Sequence, residues 1–249
     1  MMSLLVLALL LPNEIATNPG TDSVVPITGS ALAPMQTATI VSLDGERYLV
    51  RDGTADWEVV DTFLCLPQFR RPQPRLRDLT SSDRWNRLPL AGLAYVPLDR
   101  ESQLTLPGLT LDEPDSSEAV PSSEGKPLAI LPAKMVAIVG YAPYLDRRNR
   151  TRLSPSVIHT SICNQQIGAV GRAFPDFLFA CPTVVAPSYL GSAVFRTDGD
   201  KPEFCGIVRV RPREHERTGP SHETFFVPKS FLLRELRADL VPRKPLQSE

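Results

Sequence analysis

Histidine is scarce in this chain: three occur in 249 residues, and none precedes His159. No imidazole base or imidazole metal ligand can therefore come from the N-terminal half. Cysteine is also sparse. Cys65, Cys163, Cys181 and Cys205 form no C-x-x-C pair and no zinc-like spacing with histidine, so neither a metal nor a cofactor is expected. Four cysteines are few for a disulfide-built domain of this size. Buried thiols are the expectation, and the pattern requires no oxidising compartment. An excess of either charge is absent, with 27 basic against 28 acidic residues and a formal net charge of −1. That balance argues against a nucleic-acid partner held by electrostatics. The local basic runs Phe69–Arg77 and Arg147–Arg150 read as solvated loops.

Long apolar runs are missing too. Leu4–Leu11 spans eight apolar residues, far fewer than the ~20 that a spanning helix needs, so no transmembrane span is expected. Its length suits a signal-peptide core or an anchor, yet no Lys or Arg precedes it and no small-x-small cleavage site follows. The continuation Glu14–Gly20 resembles the ribosome-skipping 2A peptides, D-x-E-x-N-P-G-P. It departs from them at Ala16 and Thr21.

What is present is strand and turn. Hydrophobic residues make up 42% of the chain, enough for a sizeable core, and 25 prolines favour a loop-rich β protein over a helical bundle. Gln36–Leu43 and Glu46–Val50 flank Asp44-Gly45, a two-residue hairpin signal. Trp57–Leu66 and Leu90–Leu98 add strand character, with 67–87 as an exposed loop between them. Further strands are expected near 128–140, 156–163, 176–181, 193–197, 204–210 and 223–227. Ser230 is expected to cap a helix over Phe231–Leu240, with Leu232, Leu233, Leu236 and Leu240 on its apolar face. The resulting map is an N-terminal run plus tether (1–35), a first barrel (36–110) and an acidic Ser/Pro-rich linker (111–127). A second barrel (128–228), a helix (229–241) and a tail (242–249) complete it.

The stretch Cys181–Phe195, followed by Phe204-Cys-Gly-Ile-Val-Arg209, resembles the nucleophile loop and following strands of chymotrypsin/trypsin-like serine peptidases. The resemblance spans residues ~36 to ~228 and implies an all-β, chymotrypsin-like double β-barrel, here with a C-terminal α-helix. In that family a G-D/N-S-G-G/S-P/A-V run presents the serine. Gly191-Ser192-Ala193-Val194 matches its end, which puts Ser188 at the leading glycine, Tyr189 at the acidic or Asn position and Leu190 at the nucleophile. Tyr48-Leu49-Val50 looks like the strand before the family's histidine and places Thr54 there. Leu93–Leu98 looks like the strand after its aspartate and places Gly92 there. Asp99, seven residues on, reads as a strand-end residue instead.

Leucine has no lone pair to attack a carbonyl, threonine takes up no proton near neutral pH, and glycine orients nothing. The resemblance thus implies a degenerate triad of Thr54, Gly92 and Leu190. The cleft and oxyanion region would hold Ser188, Tyr189, Gly191 and Ser192, with Tyr189 and Leu190 as an apolar floor. Three other arrangements could rescue activity. Ser192 would serve as nucleophile only if the loop shifted by two residues. His159 and Cys163, four apart on a strand, would lie ~13 Å from each other. His215 and His222 flank a charged loop facing solvent. The reading is an inactive peptidase homologue that binds a protein or extended peptide in the inter-barrel cleft. Two alternatives stay open: an active trypsin-like, serine-type endopeptidase with a displaced site, and a β-rich structural protein of viral or mobile-element origin.

Overall fold

A computed structural model describes residues 21–29, 35–54, 58–59, 62–64, 75–111, 135–145, 147, 151–162, 179–199, 201–209 and 224–240. The first half builds a sheet from β1 (Val24–Thr28), β2 (Gln36–Leu43), β3 (Glu46–Asp52), β4 (Phe63–Leu64), β5 (Asn86–Leu88), β6 (Leu93–Pro97) and β7 (Leu109–Thr110). Its order is β4-β1-β2-β3-β6-β5, antiparallel throughout except that β7 joins β2 in parallel. The second half builds β8 (Met135–Leu145), β9 (Thr151–Ser161), β10 (Phe179–Cys181), β11 (Ala193–Arg196), β12 (Glu203–Arg209) and β13 (Thr224–Pro228). These pair in the order β10-β13-β12-β11-β8-β9. A short helix α1 (Arg100–Thr105) follows β6, and α2 (Lys229–Leu240) closes the described chain.

The Asp44-Gly45 hairpin forms in the expected register, with Leu43 opposite Glu46 and both turn residues at positive φ (52° and 87°). Strand alternation then sorts side chains between cores. Along β2, Ala38 and Ile40 enter a cluster inside the first sheet with Leu49, Val96 and Leu98, whereas Val41 and Leu43 face the second half. Val136, Ile138, Val194, Val208 and Phe226 fill the second sheet's own interior. The largest cluster lies between the halves. Val50, Leu93 and Tyr95 of the first meet Val139, Phe195, Ile207 and Phe225 of the second, with Phe231, Leu232, Leu233 and Leu236 of α2. A register shift between Val194 and Phe195 gives β12 an extra residue at Cys205, so Phe204 and Ile207 share the face turned to that cluster.

Several expectations need correction. The N-terminal run plus tether expected over 1–35 contains β1, whose Val24, Val25 and Ile27 are buried. β1 pairs with β2 from Val24↔Thr39 to Ile27↔Gln36. Pro26 argues against a strand there, and among the described residues β4 pairs with Ile27 and Thr28 on the other side. The 67–87 loop holds a buried Leu76 in a 3-10 turn and the first two residues of β5. Leu90–Leu98 is a turn followed by β6, not one strand, and Gly92 N–H closes that turn on the Leu88 carbonyl at 2.9 Å. Among the described residues of Trp57–Leu66, Phe63 and Leu64 are in a strand and Glu58, Val59 and Thr62 are not; Trp57 and Cys65 lie outside the described residues. Leu111, at the start of the supposed linker, is a buried core residue.

The helix starts at Lys229, two residues before Phe231. Ser230 is its second residue, not its cap, because α2 runs directly out of β13. Phe231 is buried, whereas Leu240, expected on the apolar face, is 38% exposed. α2 reaches the first half as well as the second: Tyr95 Oη donates to Asp239 Oδ2 at 2.8 Å.

Candidate functional site

Two strand ends meet where the triad positions were expected. Asp52, the last residue of β3, pairs with Leu93, the first of β6. One step further, Gly53 N–H donates to the Gly92 carbonyl at 3.0 Å. The approach needs glycine, since a Cβ at Gly53 would lie 2.8 Å from the Leu93 carbonyl carbon. Thr54 follows, exposed to solvent. Its N–H donates to Asp52 Oδ1 at 2.9 Å, and its hydroxyl donates to the same oxygen. The Asp52 side chain is fully buried.

The place of a side chain at Gly92 is taken by another residue. Gly92 has φ +64°, and a Cβ there would lie 2.4 Å from both Cζ and Nη2 of Arg209 and 2.8 Å from its Nη1. Arg209 ends β12, is buried, and donates from Nη1 to the Ala91 carbonyl at 2.9 Å. A guanidinium therefore occupies the volume into which a residue at 92 would project. A second buried arginine, Arg51, lies three residues before Thr54 and stacks its guanidinium 4.5 Å from the centre of the Trp85 ring.

Leu190 terminates a 3-10 turn over Pro187–Tyr189, and its N–H donates to the Pro187 carbonyl at 3.1 Å. Its side chain packs on the core inside the second sheet. The loop's carbonyls are stitched to β2: Ser188 O accepts from Thr37 Oγ1 at 2.7 Å, Leu190 O from Thr37 N at 3.1 Å, and Gly191 O from Thr39 Oγ1 at 2.7 Å. Gly191 has φ +88°, and a Cβ there would lie 2.1 Å from Thr37 O and 3.3 Å from Arg51 Cα. Its N–H donates to Val208 O at 2.9 Å, next to Arg209. Contacts thus run without a break from Leu190 through Gly191, Val208, Arg209 and Gly92 to Gly53 and Thr54.

Tyr189 is not on the floor of a cleft. It is 3% exposed within the second sheet's core. Burial pushes its phenol up, against the opposing effect of a hydrogen bond with Ser156. Ser192 is fully buried, and Gly140 leaves room for its hydroxyl, since a Cβ there would lie 2.1 Å from Ser192 Oγ. The hydroxyls of Ser188 and Ser192 have no hydrogen-bond partner among the described residues. His159 sits exposed on β9 opposite Ala137. Cys163, His215 and His222 lie outside the described residues. Asp99 caps α1, accepting from Ser102 N at 2.8 Å. Among the described residues no group of three or more His, Cys, Asp or Glu is arranged to hold a metal ion, and no helix is long and apolar enough to cross a membrane.

Solved structures place this architecture. HtrA-type protease AlgW with a tripeptide matches with a TM-score of 0.53 at 15% identity, over 91% of this chain and 62% of that one. The same protease with a decapeptide matches with a TM-score of 0.51 at 13% identity, over 91% and 66%. The fold is trypsin-like. The chain spans less than two thirds of the length of these structures. No family model and no curated protein sequence matches the chain.

Sequence reasoning missed Arg209, Asp52, Arg51 and Thr37. The available signal was charge in the wrong place: an arginine ending the apolar run Gly206-Ile-Val, and Arg-Asp following Tyr-Leu-Val. Neither charge has a place in a strand interior unless it is paired or hydrogen-bonded.

Proposed function

We propose that this protein is a catalytically inactive homologue of trypsin-like peptidases that works as a protein- or peptide-binding module. The observation that carries the reading is Arg209. A triad needs a carboxylate beside its base, and here a guanidinium fills that volume against a glycine in a left-handed conformation. Two further features point the same way. The Leu190 backbone N–H, which would sit at an oxyanion hole, is spent on Pro187. Thr54 is tied to Asp52 and offers no base. The degenerate positions are thus Thr54, Gly92 and Leu190.

The ligand class follows from the architecture. An extended peptide is held between two barrels by main-chain hydrogen bonds, which need no nucleophile. The fold neighbours were solved with a tripeptide and with a decapeptide. Purified protein should hydrolyse neither casein nor an ester and should take up no fluorophosphonate probe. Peptides selected from a random library should bind the wild type and lose binding on Thr54→Trp, which blocks the cleft at an exposed position. Hydrolysis that disappears on Ser192→Ala would overturn the inactive reading. Binding that survives Thr54→Trp unchanged would overturn the cleft as its site.

A further inference from the structure

β8 and β9 form an arm that outruns its sheet. They pair over their full length, from Met135↔Ser161 to Leu145↔Thr151, whereas β11 covers β8 only from Val136 to Val139. Gly140 and Tyr141 remain anchored. Gly140 packs on Ser192 and Tyr189, and Tyr141 Oη donates to the Val24 carbonyl at 3.2 Å. Beyond them burial falls away until Tyr144 is 50% and Leu145 66% exposed. At ~3.3 Å per residue, the outer four residues of β8 span ~13 Å.

The sequence at this end is strongly basic. From Leu145 to Arg152 the sequence carries Arg147, Arg148, Arg150 and Arg152 against a single acid, Asp146, in a chain whose net charge is −1. Arg147 is exposed. A tyrosine and a leucine beside arginines suit a membrane interface: the apolar bodies enter the acyl boundary while guanidinium groups meet lipid phosphates. A protein partner fits less well, since the few exposed side chains among the described residues of this end fall far short of the ~20–30 residues a side that a stable pair uses. Nucleic acid would use the arginines but leave Leu145 without an apolar partner. We propose that the end of the β8–β9 arm, through Tyr144, Leu145 and Arg147, docks this protein on an anionic phospholipid surface. The apolar run Leu4–Leu11 supplies a second weak signal, and stable attachment takes two.

The full chain should co-sediment with vesicles of equal phosphatidylcholine and phosphatidylserine, and not with phosphatidylcholine alone. Adding salt should release it. Tyr144→Ser with Leu145→Ser should weaken binding at least tenfold. Arg147→Gln should weaken it about fivefold. Both variants alter exposed positions and should keep the parent's thermal transition. Leu145→Trp reads the site directly: its added fluorescence should be quenched by brominated acyl chains, and the parent's should not. The proposal is overturned if the Tyr144/Leu145 variant binds as tightly as the parent, or if Leu145→Trp is not quenched. It is equally overturned if no vesicle is bound while an acidic peptide or duplex DNA is.

Discussion

Gly92→Ala tests the most consequential contact in this molecule. The added methyl would sit 2.4 Å from Cζ and Nη2 of Arg209, inside van der Waals contact, on a backbone at φ +64°. The left-handed conformation costs a side chain about 1–2 kcal/mol. Moving a buried guanidinium strains its packing by about 1–3 kcal/mol. It also strips the Ala91 carbonyl of its charged donor, at about 1.5–3 kcal/mol. These costs overlap, so a destabilisation of about 3–5 kcal/mol is expected, which lowers Tm by roughly 10 °C in a chain of this size. Urea denaturation of wild type, Gly92→Ala, Arg209→Ala and the double variant forms a cycle. Because Arg209→Ala removes the obstructing group, the double variant should be more stable than the sum of the singles by about 2 kcal/mol. A Gly92→Ala protein within about 0.5 kcal/mol of wild type, or an additive cycle, would refute the reasoning. The consequence for chemistry is direct. Installing Thr54→His, Gly92→Asp and Leu190→Ser together should restore no peptidase activity, because Arg209 occupies the volume of the new carboxylate.

Thr37→Val should cost about 1–3 kcal/mol in urea denaturation, since it leaves the buried Ser188 carbonyl without its 2.7 Å donor. Stability should also decline in alkali. Burial is the main cause that raises the Tyr141 phenol from 10.0 to about 12, with the nearby Asp22 charge adding to it, and burial likewise raises Tyr48 and Tyr95. Unfolded tyrosines therefore ionise first. Urea midpoints should be flat below about pH 10 and fall from there to about pH 12, by on the order of 2 kcal/mol for Tyr141 alone; a midpoint independent of pH across that window would contradict the assignment. Limited digestion with an acid-specific protease should cut first within 112–127, where Asp and Glu cluster in a stretch poor in hydrophobes. First cuts at Glu46 or Glu203, both in strands, would contradict the linker reading.

Local patterns made much of the fold legible. Asp44-Gly45 between alternating apolar runs names a hairpin because few residues accept positive φ there. The apolar runs at 136–139, 193–195 and 204–208 are strands because β-branched and aromatic residues suit a pleated surface buried on both sides. The run Gly191–Val194 was enough to locate the loop around Leu190, since that signal lies within a few residues. Everything decided by contact between distant segments was out of reach. β1 exists because β2 supplies its partners, although Pro26 argues against a strand in isolation. The core shared by both halves and α2 could not be read from residues that look like any other apolar set. Arg209 appeared as an ordinary strand end. Only the approach of β12 to the turn at Gly92, across 117 positions of sequence, sets its guanidinium where a side chain of the first half would otherwise stand. Strand identity follows from neighbours along the chain, while a charge buried in another residue's place follows from neighbours in space.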